Sequence, residues 1–251
     1  MRLNSDVELL DGMPIAHIKS IDAIVCTDLH LGYEGVISKN GVLLPKANLK
    51  SIESMIDSAI ASTGASHIIV DGDIKNEFSG VDTEEFNELY EFIHFVSEKN
   101  VSLVLIKGNH DNFVERYRDA FKFQVYRQQH EYGGYFFMHG EELPRSIPKS
   151  TKMLVMGHEH PAITIYTDAG KAEKVRCFLL GSYKNFPLLV LPAMSYYSPG
   201  NAMNIVPRSE LLAPIFRYVD VDAMEAIAVG YGSTLSFGKI GELRKFAESQ
   251  K

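Results

Sequence analysis

Apolar runs of strand length recur along the chain, at residues 13–18, 21–26, 67–71, 101–106, 135–138, 153–156, 163–167, 174–180 and 188–191. The early runs alternate with stretches of helical spacing. Leu49, Ile52, Met55, Ile56, Ala59 and Ile60 recur every three or four positions and predict a helix. Pro45 suits its start, where a missing N–H is harmless, and Gly64 suits its stop. Phe86, Leu89, Phe92, Ile93 and Val96 predict a second helix. It is opened by Asp82, Thr83, Glu84 and Glu85, negative residues that favour a first turn, and closed by Lys99-Asn100. Residues 33–44 show no clear period and read as a loop. The order βαβαβ predicts parallel strands joined by right-handed crossovers.

The pattern then changes. Residues 123–126 and 129–132 precede Gly133-Gly134, a hairpin signal, and residues 168–171 read as another hairpin turn. Helices become scarce, which predicts a second, more antiparallel sheet packed on the first with helices outside. Residues 194–207, rich in Ser, Tyr, Asn, Pro and Gly, form a long loop of the kind that often serves function. Beyond Ser209 the chain alternates weakly around 216–221 and 233–237, then ends in a short helix over 240–249. The expected organisation is one domain over 1–251, with its core in 13–191 and an extension over 192–251.

Five of the strand-like runs are followed directly by polar residues of one chemical type. They are Asp28-Leu29-His30, Gly72-Asp73, Gly108-Asn109-His110-Asp111, His139-Gly140 and Gly157-His158-Glu159-His160. In layered α/β folds, ligands bind outside the carboxyl ends of strands. Asp, Asn and His suit borderline or hard divalent cations such as Mn²⁺, Fe²⁺ or Zn²⁺. Asp28 and His30 can grip one cation from a loop. The two oxygens of Asp73 can bridge two cations, whereas Asp71, inside its strand, reads as a hydrogen-bonding residue. The amide oxygen of Asn109 is a neutral hard ligand. His110 points elsewhere and is free to donate a proton. Asp111 either orients that imidazole or caps the following helix. His158 and His160 each offer one ring nitrogen, with the other left for a supporting acceptor. Glu141 and Glu159 read as supporting or solvated carboxylates. His17, His67, His94 and His130 read as structural.

Composition narrows the partners. Of 251 residues, 45% are apolar and 23% charged, enough for a packed core. A net charge of −7 argues against a chain living mainly on nucleic-acid phosphates, although a local basic patch stays open. Lys149, Lys152, Lys171, Lys174 and Arg176 read as solvated surface. Two cysteines, Cys26 and Cys177, offer no disulfide framework, and Cys26 reads as a buried thiol. The amino terminus has no signal-peptide core, and no apolar run nears the ~20 residues of a membrane span. A cytoplasmic location without a membrane partner is expected. Apolar content over residues 211–216 fits core packing or a homodimer contact equally.

Individually the polar stretches are weak signals. In order, Asp-x-His, Gly-Asp, Gly-Asn-His-Asp, His-Gly and Gly-His-x-His resemble the calcineurin-like metallophosphoesterase superfamily, with no motif ligand missing. The longer runs at 72–78 and 157–162 look like small microbial and archaeal phosphoesterases related to the double-strand-break repair nuclease subunit. The resemblance implies a four-layer αββα sandwich of two mixed β-sheets flanked by helices. It implies Asp28, His30 and His160 on one divalent metal ion, Asn109, His139 and His158 on a second, Asp73 between them, and His110 as the acid. The metals would be Mn²⁺ foremost, with Fe or Zn as alternatives. The activity implied is hydrolysis of phosphomono- or phosphodiesters by a metal-bridging hydroxide, with Asn109 and His110 also facing substrate. Two other readings stay open: a nuclease acting on DNA or RNA, and a metal-binding scaffold without turnover.

Overall fold

The computed structural model describes residues 1–77, 83–115, 118, 123–166, 171–230 and 232–249. Successive strand residues point to opposite faces, and this alternation sorts the apolar side chains into three cores between four layers. In β3 (Ala23–Cys26), Ile24 and Cys26 join a core shared with helices, while Ala23 and Val25 join a core shared with the other sheet. In β9 (Met153–Met156), Met153 and Val155 face that same central core, and Leu154 and Met156 face outward onto a third. Phe137 and Phe178 are fully buried between the sheets. Burial of each stabilises the fold by roughly 1.5–3 kcal/mol.

The first sheet runs β1 (Val7–Leu9), β2 (Ala16–Ile18), β3, β4 (His67–Asp71), β5 (Ser102–Ile106), β6 (Gln124–Tyr126). Strands β3 to β6 are parallel, and β1 and β2 are antiparallel additions. Its outer face carries α2 (Asn48–Thr63) and α3 (Thr83–Glu98), with α1 (Tyr33–Lys39) beside α3. The second sheet is mixed and contains β7 (Gln129–Tyr132), β8 (Tyr135–Met138), β9, β10 (Pro161–Tyr166), β11 (Ala172–Tyr183), β12 (Phe186–Val190), β13 (Asn201–Ala202), β14 (Glu225–Gly230) and β15 (Ser233–Lys239). Its outer face is covered by 3₁₀ turns at Pro214–Arg217 and Val221–Ala223 and by the start of α4 (Ile240–Ser249).

The α/β sandwich of two mixed sheets matches the sequence expectation, with four differences. Residues 33–44 are not all loop, because α1 forms there. A seven-residue helix is too short to show a period, and tertiary contacts hold it. Its buried Glu34 accepts hydrogen bonds from the N–H groups of Ala47 (3.0 Å) and Asn48 (2.9 Å). For the same reason α2 begins at Asn48 rather than Pro45: its first donors are satisfied by Glu34 from another helix. Its end is as expected, with Gly64 left-handed and its N–H on the Ile60 carbonyl. Third, residues 216–221, which alternate weakly in sequence, form no strand: they run from the end of the Pro214–Arg217 3₁₀ turn to the start of the one at Val221–Ala223, and a strand lies further on, at β14. Fourth, β14 and β15 are members of the second sheet, β14 pairing with the middle of β11. In the 211–216 segment, Leu211, Ala213, Ile215 and Phe216 are buried in the outer core, and Leu212 is exposed. The proposed helix start at Asp82 and the hairpin turn at 168–170 lie outside the described residues. Among the described residues no helix is long and apolar enough to cross a membrane.

Candidate metal centre

The parallel pairing of β3 with β4 continues past the strands into the loops that carry the ligands. Asp28 N–H donates to the Gly72 carbonyl, His30 N–H to Asp73, Leu31 N–H to Ile74 and Asn76 N–H to Leu31, all at 3.0 Å. The Asp28–His30 and Asp73 loops are therefore one hydrogen-bonded unit. Asp28, His30, Asp73, His158 and His160 all have positive φ, between 46° and 67°. Non-glycine residues rarely adopt this conformation, and it concentrates at functional sites. Gly72 has φ +91°, and a Cβ there would lie 2.1 Å from Nδ1 of His139. Glycine is what lets the His139 ring stand against this backbone.

The sequence-predicted residues converge. Ligand atoms of Asp28, His30 and His160 lie within 4.8 Å of one another, as do those of Asp73, His139 and His158, and those of His30, Asp73 and His110. His160 Nε2 is 3.1 Å from Asp28 Oδ1, and His139 Nε2 is 3.1 Å from Asp73 Oδ2 and 3.7 Å from Asp28 Oδ1. Asn109 precedes His110, whose N–H donates to Asp73 Oδ1 at 2.9 Å. His30 Nε2 and His160 Nε2 are 3.3 Å apart. Asn109 Oδ1 is buried with no hydrogen-bond partner among the described residues, and Asp28 Oδ1 and His139 Nε2, equally buried, meet the ion-pair contacts given above in place of well-formed hydrogen bonds. Buried polar atoms are seldom left so, and these donors fit divalent cations.

Supporting contacts aim the rings. His139 Nδ1 is 2.9 Å from the Asp71 carbonyl, His160 Nδ1 is 2.8 Å from Ser198 Oγ, and His110 Nδ1 is 2.6 Å from the Asn76 carbonyl. Each places Nε2 toward the centre. The acceptor at His110 Nδ1 is the Asn76 carbonyl, and Asp111 acts on the ligand loops. The buried Asp111 carboxylate accepts N–H groups from Asp73 (2.8 Å), Gly108 (2.9 Å) and Lys75 (3.3 Å), buckling two ligand loops together. Burial and the charge of Asp73 push its carboxyl up to about 7. Asp71 contributes its backbone rather than its side chain. Both side-chain oxygens are buried without a hydrogen-bond partner among the described residues, and burial raises that carboxyl well above its usual range. Glu159 is buried and supporting, accepting from Asn201 Nδ2 (2.6 Å) and Ala213 N (2.8 Å).

Electrostatics suit a cation. Burial alone would raise Asp73, but His139, His30 and His110 hold it well below the usual carboxylate range. Asp28 is likewise lowered, with His160 and His139 overcoming burial. Burial pushes His30 and His158 down to about 4, so both are neutral and ready to coordinate.

Several contributors escaped the sequence reading. Asn48, fully buried at the start of α2, donates to the carbonyls of Leu29 (2.9 Å) and His30 (3.1 Å) and accepts from Tyr196 N (2.8 Å). Arg176 is not simple solvated surface. Its guanidinium donates to the carbonyls of Ser195 and Tyr196, fixing the loop that carries Ser198. The composition of 194–207 marked that loop, but no local signal marked Asn48 or Arg176.

Two mixed sheets with carboxylates, an amide and imidazoles gathered where their strands end define the metallo-dependent phosphatase fold. The sequence profile of the calcineurin-like phosphoesterase family matches residues 22–177, more than half of the chain. The chain belongs to that family, whose members use divalent metal cofactors, and is a hydrolase acting on phosphoester bonds. Among solved structures, the nuclease MPE of Pseudomonas putida is similar at 17% identity and a TM-score of 0.63, covering 91% of this chain and 94% of that one. That likeness speaks for the fold. The E. coli phosphoesterase Yfce aligns at 16% identity and a TM-score of 0.43, over 84% and 95% of the two chains. No curated protein matches the chain.

Proposed function

We propose that the chain hydrolyses phosphomono- or phosphodiesters at a centre of two divalent cations, with Mn²⁺ the first choice and Fe or Zn the alternatives. The observation that carries this reading is the donor arrangement. Asp28, His30 and His160 form one set and Asp73, His139 and His158 another, with Asp73 also grouped with His30 beside the first. Asn109 would complete the second set with its unpartnered amide oxygen. When bound, two such cations neutralise phosphoryl oxygens and make water acidic enough to ionise near neutral pH.

The protein's own part begins at His110. A carbonyl only accepts hydrogen bonds, so the contact to Asn76 puts a proton on Nδ1. Nε2 is left facing the centre, 3.9 Å from Asp73 Oδ2. As an imidazolium, His110 can hand its Nε2 proton to the departing oxygen, which contributes typically ~10²–10⁴-fold. Asp111 holds His110 and Asp73 in register through backbone donors. Asp71 and Ser198 hold His139 and His160 in orientation.

The test measures turnover of an alkoxide-releasing phosphodiester, beside aryl mono- and diesters, on Mn²⁺-loaded protein, with metal content measured in parallel. On the alkoxide ester His110→Ala should lose turnover within that range and keep its metal. Equal loss of metal and turnover would remove the acid role. No turnover of aryl mono- or diesters by fully loaded wild type would favour the scaffold reading. A DNA arm with rising salt addresses nucleic acid as substrate, since phosphate contacts make binding steeply salt-dependent.

A further inference from the structure

The acceptor behind His110 is itself held in place, by a residue that lies in none of the ligand-bearing stretches. Asn76 follows the hydrogen-bonded Asp73 loop. Its N–H faces the Leu31 carbonyl at 3.0 Å and Glu85 Oε2 at 3.0 Å. The N–H of Glu77 donates to the same Glu85 oxygen. Glu85 Oε1 lies 3.3 Å from Lys75 Nζ, and both side chains are only 1% exposed. Lys75 Nζ also donates to the Glu77 carbonyl. One carboxylate from the first turn of α3 thus clasps residues 75–77 on both sides of Asn76.

Packing brings α3 close enough to do this. A Cβ on Gly32 would lie 2.5 Å from Glu85 Cβ, so the helix sits directly on the backbone two residues past His30. One turn on, Glu88 Oε2 accepts the Gly32 N–H at 2.7 Å. Replacing a buried ion pair by apolar side chains of similar volume is often neutral for stability, so such a pair says little about stability and more about geometry. The geometry here ends at the carbonyl that fixes the tautomer and direction of His110.

We propose that Glu85 is a positioning residue for His110, acting through the backbone of Asn76. The proposal rests on the acid role of His110 set out above. It differs from a structural role of the Lys75–Glu85 pair in one measurable respect. A mispositioned acid slows only reactions whose leaving group needs a proton, whereas a loosened fold or a lost metal slows all of them.

The experiment measures kcat and KM on the full-length, Mn²⁺-loaded chain with two phosphodiesters. One releases 4-nitrophenolate, which departs without a proton. The other releases a simple alkoxide, which does not. His110→Ala should lose ~10²-fold or more on the alkoxide ester and far less on the nitrophenyl ester. A parallel loss on both would overturn the acid reading and this proposal with it. Given the expected first result, Lys75→Met combined with Glu85→Leu should lower kcat on the alkoxide ester about tenfold, since small misplacements of reacting groups carry such penalties. KM, metal content and nitrophenyl turnover should stay near wild type. Lys75→Met with Glu85→Gln, which restores an acceptor oxygen, should recover most of the loss. If the leucine variant does not fold, Glu85→Asp carries the same test, because it keeps the charge against Lys75 and withdraws the carboxylate. Unchanged alkoxide turnover in a folded variant, or equal loss on both esters, would overturn the positioning role while leaving that of His110 intact.

Discussion

His139 sits between Asp28 and Asp73, and under the proposed function its protonation would govern how the centre takes up metal. Burial disfavours its charged form, but the two carboxylates outweigh burial and raise its pKa well above the ordinary imidazole value. His160 is raised in the same way by Asp28. The metal-free centre near pH 7 therefore carries a proton on His139, while His30 and His158, at about 4, carry none. A cation that takes His139 Nε2 must displace that proton. Raising pH removes the competitor, so Mn²⁺ affinity should climb as pH rises above about 6.5 and through the raised folded pKa of His139, approaching tenfold per unit for each proton released. Calorimetry in buffers of different ionisation heat checks both the slope and the proton count. A flat affinity would contradict the protonated state assigned to His139. The raised histidines also act on stability. Their contribution to the metal-free fold is complete below an unfolded pKa of about 6.5 and is lost as pH rises through their higher folded values. The metal-free protein should weaken on the alkaline side, where the metal-loaded protein should not.

Among the elements, Asn48 shows what a single buried side chain at a helix start does for the centre. It makes hydrogen bonds to the Leu29 and His30 carbonyls and takes one from Tyr196, so α2, the Asp28–His30 loop and the Ser198 loop share one anchor. Asn48→Ala leaves those backbone groups buried without this partner. At about 1–3 kcal/mol per orphaned group, partly relieved by relaxation, denaturant unfolding should show a loss of about 2–4 kcal/mol. Weaker retention of the first cation should accompany it, and a change within experimental scatter would contradict the anchoring role. Asn48 also marks the limit of what the sequence discloses. Strands such as Met153–Met156 and helices such as Thr83–Glu98 are written in local apolar spacing, and the ligand stretches follow their strands directly. That made the two-sheet architecture and the convergence of Asp28, His30, Asp73, His110, His139, His158 and His160 readable in advance. By contrast, α1 depends on Glu34 satisfying donors thirteen and fourteen residues away, and Tyr196 is held by a residue 148 positions distant. Partners that remote leave no periodicity. The same holds for Asp111, whose neighbours in sequence suggested an imidazole or a helix end and whose contacts are backbone N–H groups of two loops.

For the whole molecule, the decisive fact is that the donors come from both sheets. Asp28, Asp73 and Asn109 follow β3, β4 and β5 of the first sheet, and His139, His158 and His160 follow β8 and β9 of the second. Away from this edge the sheets are joined by the apolar layer containing Phe137, Phe178 and Leu189. At this edge the contact is polar, and His139 and His160 reach the carboxylates of the opposite sheet at 3.1 Å. Cations gripped there would fasten the sheets where the apolar layer does not. A ligand that binds only the folded state stabilises it by about 2.7 kcal/mol at a hundred times its Kd. Melting temperature should therefore fall on chelation and rise with the logarithm of added Mn²⁺. His158→Ala should flatten that rise and leave the metal-free melting temperature close to that of the metal-free wild type, because this imidazole is already neutral and gains little by burial. Differential scanning calorimetry of the two proteins across a Mn²⁺ series separates the outcomes. A chelator-insensitive transition in protein shown to have lost its metal would mean that the apolar layer alone holds the sheets together, and that the centre serves chemistry without fastening the fold.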